Sequence, residues 1–203
     1  MRSFLRKLSH SIVDDNPVAV QLLGICSALA VTKTVATALV MSAALTAVLV
    51  ASNGIISALR RVIPHSTRLV LQITIIATLV IVTDQIIAAF APAMSRQLSV
   101  FVSLIITNCI VLGRAEAFAM SHGVGESLVD GLGNALGYGL LLTTVGAVRE
   151  LLGAGALLGQ RVLPLVQDGG WFEPLAILHL PPAGFFLIAG FVWLLQRTRR
   201  VAP

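Results

Sequence analysis

Two thiols, Cys26 and Cys109, make up the whole cysteine complement of this 203-residue chain. Both sit inside apolar stretches, "LLGICSALAV" and "IITNCIVLG", 83 positions apart. Thiolate is a soft ligand that suits iron–sulfur clusters, zinc or copper. A cluster normally takes four cysteines, and this chain supplies two. No His, Asp or Glu shares those stretches at ligand spacing, and there is no Cys-x-x-Cys. A metal held here therefore needs ligands from another chain, either a second copy or a homologous partner with two cysteines of its own. Two other uses stay open. A free cysteine also packs as a small hydrophobe, and the pair is also able to form a disulfide.

Charged side chains embedded in apolar sequence are the other chemistry-bearing groups. Asp84 lies in "VIVTDQII". A carboxylate at the centre of a membrane helix costs about 3 kcal/mol on an insertion scale, and less near an end. It reads as a cation-site or proton-relay group, or as an interfacial, solvated acid. Asp130 is either an ion-pathway group or a helix-start acid favoured by the macrodipole. Arg114 and Glu116 close the stretch around Cys109. They are available to each other, to Asp130 or to a partner chain, as elements that fix helix register. Arg149 and Glu150 form a similar doublet. Such pairs contribute little at a surface. Gly133 and Gly137 have the spacing of a close helix contact. Nothing resembles a nucleophile–base pair or a phosphate-binding loop, so the chain runs no soluble catalysis alone.

The elements that must position these groups follow from composition. The chain is 57% hydrophobic and 11% charged, with a mean hydropathy of +0.93. So few polar groups cannot cover a soluble domain of this size. The expected class is an all-α integral membrane protein. The net charge of +5 sits in clusters between apolar runs, which is a topology signal and not a nucleic-acid footprint. A span of the hydrocarbon core needs about 20 helical residues. Six candidates lie at 18–32, 35–58, 69–90, 98–112, 128–152 and 175–195, the last with an alternative start at Pro181 or Pro182. Residues 1–16 read as a basic lead-in (Arg2, Arg6, Lys7) without a cleavage site. The remainder, 17–200, reads as one domain. With the N-terminus inside, ten Lys and Arg fall on the inner side and four on the outer, Lys33, Arg96, Arg149 and Arg161. Both termini are thus expected in the cytoplasm. "DGGWFEP" reads as an outer turn with an interfacial Trp171, and His179 as interfacial.

Two of the spans, 18–32 and 98–112, have only 15 residues, and each carries a cysteine near its middle. Each opens a set of three spans. An odd number of crossings inserts the second set upside down, giving inverted repeats at about 17–92 and 97–200. Short or broken segments at matching places of inverted halves point to a site at the bilayer midplane. A helix that ends early in a membrane must end against protein or a cavity. A redox-inert disulfide does not require that layout. A small inverted-repeat transporter or a scaffold, with the cysteines as packing, is the non-redox alternative.

The stretches "NPVAVQLLGICSALAVT", "QLSVFVSLIITNCIVLGRAEAFAM", "DGLGNALGYG", "GAVRELLGAG" and "LPLVQDGGWFEP" resemble a family of membrane subunits. It comprises the D and E subunits of the sodium-translocating NADH:quinone oxidoreductase and the E subunit of the Rnf ferredoxin:NAD oxidoreductase. "QLSVFV", "TDQI" and "DGGW" look more like the D subunits of the sodium pump. The Rnf E type is the runner-up. The resemblance implies a bacterial inner-membrane complex that passes electrons from NADH to ubiquinone and exports sodium. It implies that the D and E subunits are inverted copies that share a [2Fe–2S] centre, with Cys26 and Cys109 as this chain's ligands. It implies ion-uptake or passage roles for Asp84 and Asp130. Flavins, the NADH site and the quinone site belong to the other members of the complex, its A, B, C and F subunits.

Overall fold

The computed structural model describes residues 23–64, 66–90, 103–157, 160–161, 178 and 180–201. Six α-helices order the described chain: α1 Ile25–Val31, α2 Val35–Leu59, α3 Arg68–Phe90, α4 Cys109–Arg114, α5 Val124–Ala154 and α6 Pro181–Val201. A π-helical turn, Ala115–Ala119, prolongs α4. A two-residue antiparallel pair, Ala156–Leu157 with Gln160–Arg161, follows α5. Among the described residues, three helices are long and apolar enough to cross a membrane: Val35–Leu59, Arg68–Ala89 and Val124–Ala154. The apolar part of α6, Pro182–Leu194, is shorter.

The centre is α2 packed against α5. A Cβ at Gly131 would stand 3.4 Å from the Leu49 carbonyl oxygen and 3.1 Å from Asn53 Nδ2. At Gly139 it would collide with Ser42 Oγ, and at Gly146 it would lie 3.4 Å from Ala38 Cβ. Rising numbers on α5 meet falling numbers on α2, so the two helices run antiparallel. In lipid no hydrophobic drive joins helices, and bare glycine faces permit the close packing that does. The stripe that makes this approach is Gly131, Gly139 and Gly146; Gly133 and Gly137 are buried as well. Met41, Leu45, Leu49, Leu141, Leu142 and Val145 fill the seam. α3 lies outside it, contributing Ile76 and Val80 to the core and exposing Ile73, Ile81, Val82 and Ile86.

Local sequence sets the helix ends. Thr34 Oγ1 accepts from the Thr37 N–H at 3.3 Å and caps α2. α5 ends on Gly155, whose φ of 66° is the left-handed stop that glycine takes most easily. α6 opens on Pro181, where a missing N–H costs nothing.

The expected spans meet this structure unevenly. Those at 35–58, 69–90 and 128–152 are long helices with ends within a few residues of the expected ones. The sixth is a helix from Pro181, the alternative start that the sequence offered, and residues 175–177 lie outside the described residues. The first and fourth are not continuous. Leu23 and Gly24 form a turn before α1, and Thr107–Asn108 separates one helical turn at 103–106 from α4. The lead-in 1–16, Arg96, the turn from Asp168 to Pro174 with Trp171, and His179 lie outside the described residues.

A thiol site at two broken helices

The two breaks meet. Gly24 has a φ of 81°, a conformation that glycine takes without strain, and it precedes α1. Its backbone N–H donates to Cys109 Sγ at 2.9 Å, across 85 residues of sequence. Asn108 caps α4 by accepting the Ile110 N–H at 3.1 Å on Oδ1. Its Nδ2 donates to Ser27 Oγ in α1 at 3.0 Å. Ser27 in turn donates to the Gly24 carbonyl at 3.0 Å. Tyr138, wholly buried on α5, places its hydroxyl 2.6 Å from Ser27 Oγ and 3.2 Å from the Gly24 carbonyl. Helix starts carry backbone N–H groups without intrahelical partners. Here one start lends its N–H to the other's thiol, and Asn108 ties both together.

Each cysteine therefore sits at a helix start, Cys26 second in α1 and Cys109 first in α4. Cys109 is half-buried and Cys26 is exposed on the surface of the chain. Among the described residues, no group of three or more His, Cys, Asp or Glu is arranged to hold a metal ion. The chain offers two sulfurs, one half-buried and one exposed.

Charged groups hold the two ends of α5. Near its start, Asp130 takes Arg114 in a fork: Nε donates to Oδ2 at 2.9 Å and Nη2 to Oδ1. Asn134 Nδ2 adds a bond to Asp130 Oδ1 at 3.1 Å. Arg114 also lies 5.2 Å from the centroid of Phe118, which stacks on His122. Glu116 turns the other way. It pairs with Arg68 and accepts from Gln72 Nε2 at 2.9 Å, tying the π turn to α3. The π turn separates these two ion pairs onto different neighbours. Near the other end of α5, buried Arg149 donates to the Leu29 carbonyl at 3.2 Å and to Thr32 Oγ1 at 2.9 Å, closing α1. It also holds the Leu178 and Leu180 carbonyls ahead of α6. Glu150 accepts the Val35 N–H at 2.6 Å, at the start of α2. A cation at a helix C-terminus and an anion at an N-terminus match the helix dipole.

The sequence-derived candidates thus separate. The Cys109 thiol meets the turn that precedes the helix of Cys26. Arg114 and Asp130 pair with each other, while Glu116 joins α3 and not Arg114. Asp84 lies on α3, with its Oδ1 buried and lacking a hydrogen-bond partner among the described residues. Sequence reasoning missed Gly24, Ser27, Asn108 and Tyr138 as one cluster. The visible signals were an Asn directly before a cysteine, in helix-cap position, and a Gly two residues before the other.

The matching family model is described as "Rnf-Nqr subunit, membrane protein" and covers residues 4–192. A protein of Shewanella frigidimarina, named as the D subunit of Na(+)-translocating NADH-quinone reductase, is 57% identical over 189 residues, 93% of this chain and 90% of that protein. A protein of the same name from Shewanella woodyi is 55% identical over 192 residues, 95% and 91% of the two chains. Another from Pseudoalteromonas translucida is 53% identical over 189 residues, 93% and 90%. With nearly its whole length matched, and with the broken, thiol-bearing helices in place, the chain belongs to the Rnf-Nqr family of membrane-protein subunits.

Proposed function

We propose that the chain acts as the D-type subunit of a sodium-translocating NADH:quinone oxidoreductase and supplies half the ligands of an intramembrane iron centre. The names of the relatives support the complex. The observation that carries the site is the meeting of the two helix breaks, which sets Cys109 Sγ under the Gly24 N–H beside exposed Cys26. The donor set fits such a group. Two thiolates at adjoining helix starts, one of them exposed, suit a soft metal whose remaining ligands come from a second chain. A [2Fe–2S] centre shared with the inverted E subunit is the group proposed. When bound, it supplies one-electron transfer across the membrane interior. The chain's own residues hold the two sulfurs at a fixed spacing and donate a backbone N–H to one of them. Flavins, NADH and quinone are assigned to the A, B, C and F subunits.

The same reading includes six spans in two inverted repeats, at about 17–92 and 97–200, in a bacterial inner membrane with both termini cytoplasmic. Asp84 and Asp130 are proposed for the ion pathway. Arg114 is proposed to fix helix register through Asp130, and Glu116 through Arg68. Cys26→Ser or Cys109→Ser in the assembled complex is expected to abolish the iron signal and sodium-coupled quinone reduction. Iron content and quinone reduction unchanged in both variants would defeat the assignment.

A further inference from the structure

The junction where the two breaks meet is more polar than its surroundings require. Ile110, Val111, Leu141 and Leu142 line the same core, and all are buried. Ser27, Asn108 and the Tyr138 hydroxyl are polar groups at equal depth, each fully buried. Buried polar groups destabilise unless satisfied, and satisfied networks fix one geometry. This one closes on itself. Ser27 Oγ accepts from Asn108 Nδ2, shares a hydrogen bond with the Tyr138 hydroxyl and lies 3.0 Å from the Gly24 carbonyl, which the Tyr138 hydroxyl also reaches at 3.2 Å. Ser27 thus meets three polar partners at once. The other side of the same glycine donates to Cys109 Sγ. Gly24 is therefore held by its carbonyl and aimed by its N–H. Tyr138 belongs to α5, the long helix that Arg149 and Glu150 tie to α1 and α2. It is the one member of the cluster on a continuous helix. The Tyr138 ring also lies close against Gly24: a Cβ there would stand 3.0 Å from Cε2.

We propose that Tyr138, acting through Ser27 and Gly24, is a positioning residue that locks the two broken helices so that the Gly24 N–H stays on Cys109 Sγ. The inference rests on the ligand reading of the thiols only where it concerns the iron centre. Its geometric core does not depend on metal. A backbone N–H aimed at a ligand sulfur stabilises the more negative, reduced state of a cluster, since hydrogen bonds to the sulfurs tune its potential. Releasing that bond lowers the potential. Tyr138→Phe keeps the ring and removes the hydroxyl, so packing against Gly24 persists. Ser27→Ala removes the centre of the network by a second route.

Two measurements test this. In native membranes carrying Cys26→Ser, the rate at which a small maleimide labels Cys109 is followed by mass spectrometry of its peptide. Adding Tyr138→Phe is expected to speed labelling about fivefold, the factor that one net hydrogen bond sets. Ser27→Ala is expected to do the same. A labelling rate unchanged by both substitutions overturns the proposal. In the complex with both cysteines intact, Tyr138→Phe is expected to lower the midpoint potential of the iron centre at unchanged iron content. An unchanged potential overturns the tuning. If iron persists in the Cys26→Ser complex, the ligand reading fails instead, and the labelling rates alone decide the lock.

Discussion

The middle of α5 and its two ends hold the rest of the molecule by different means. At the ends, full charges do the work: Arg114 with Asp130 near one, Arg149 and Glu150 near the other. In the middle, around Tyr138, the bonds among Ser27, Asn108 and Gly24 are neutral. Charge pairs grip hard in low dielectric, but they also set a strong fixed field. Neutral hydroxyl and amide dipoles fix geometry with much less of one. Under the proposed iron centre, a region that takes up an added electron is better built from the second kind. The comparison teaches that register is set at the ends and that the thiol site is shaped between them.

Substitutions at the two kinds of contact sharpen this contrast. The largest effect is expected at Asp130. Asp130→Ala leaves the buried Arg114 guanidinium without its counter-charge, and breaking a buried pair in this way costs about 3–5 kcal/mol. Thermal unfolding of the purified complex measures it. Pairing Asp130→Leu with Arg114→Met should recover most of the loss. A single variant as stable as the parent would show that the fork carries no register. The middle is expected to be gentler. Gly24→Ala forces a left-handed φ on alanine and drives a Cβ to 2.6 Å from Ile110 Cδ1. The expected loss is about 1–3 kcal/mol, with iron retention falling in step. Glu150→Ala sets the opposite end apart by leaving the Val35 N–H without its acceptor, at about 1–3 kcal/mol, whereas Glu150→Gln retains an acceptor and should recover most of it. Smallest of all is Leu140→Ala on the exposed face of α5, which is expected to stay within about 0.5 kcal/mol.

How much of this was legible beforehand differs by element. The spans at 35–58, 69–90 and 128–152 are long, predominantly apolar runs, and their length sets them. The pairing of the two cysteine stretches was legible because both were too short and both carried a thiol. Where each helix breaks was not. A break needs a partner to satisfy its open backbone groups, and those partners are remote. Asn108 reaches Ser27 across 81 residues, and Tyr138 reaches Ser27 across 111. Single polar residues in apolar sequence carry no spacing that reveals such contacts. Arg149 and Glu150 looked like a doublet of the same kind as Arg114 and Glu116, yet the structure separates the two cases. The first braces helix ends through backbone groups, and the second splits its members between α5 and α3 because the π turn rotates Glu116 away from Asp130.

The central claim is that Cys26 and Cys109 hold half of a metal's coordination shell where two broken helices meet. Anomalous X-ray scattering at the iron edge, on the intact complex, tests it most directly. The account predicts an iron peak within bonding distance of both sulfurs, on the exposed side of Cys26 and shared with a second chain. A map with no iron beside either sulfur, or with the two sulfurs turned to lipid, would contradict it.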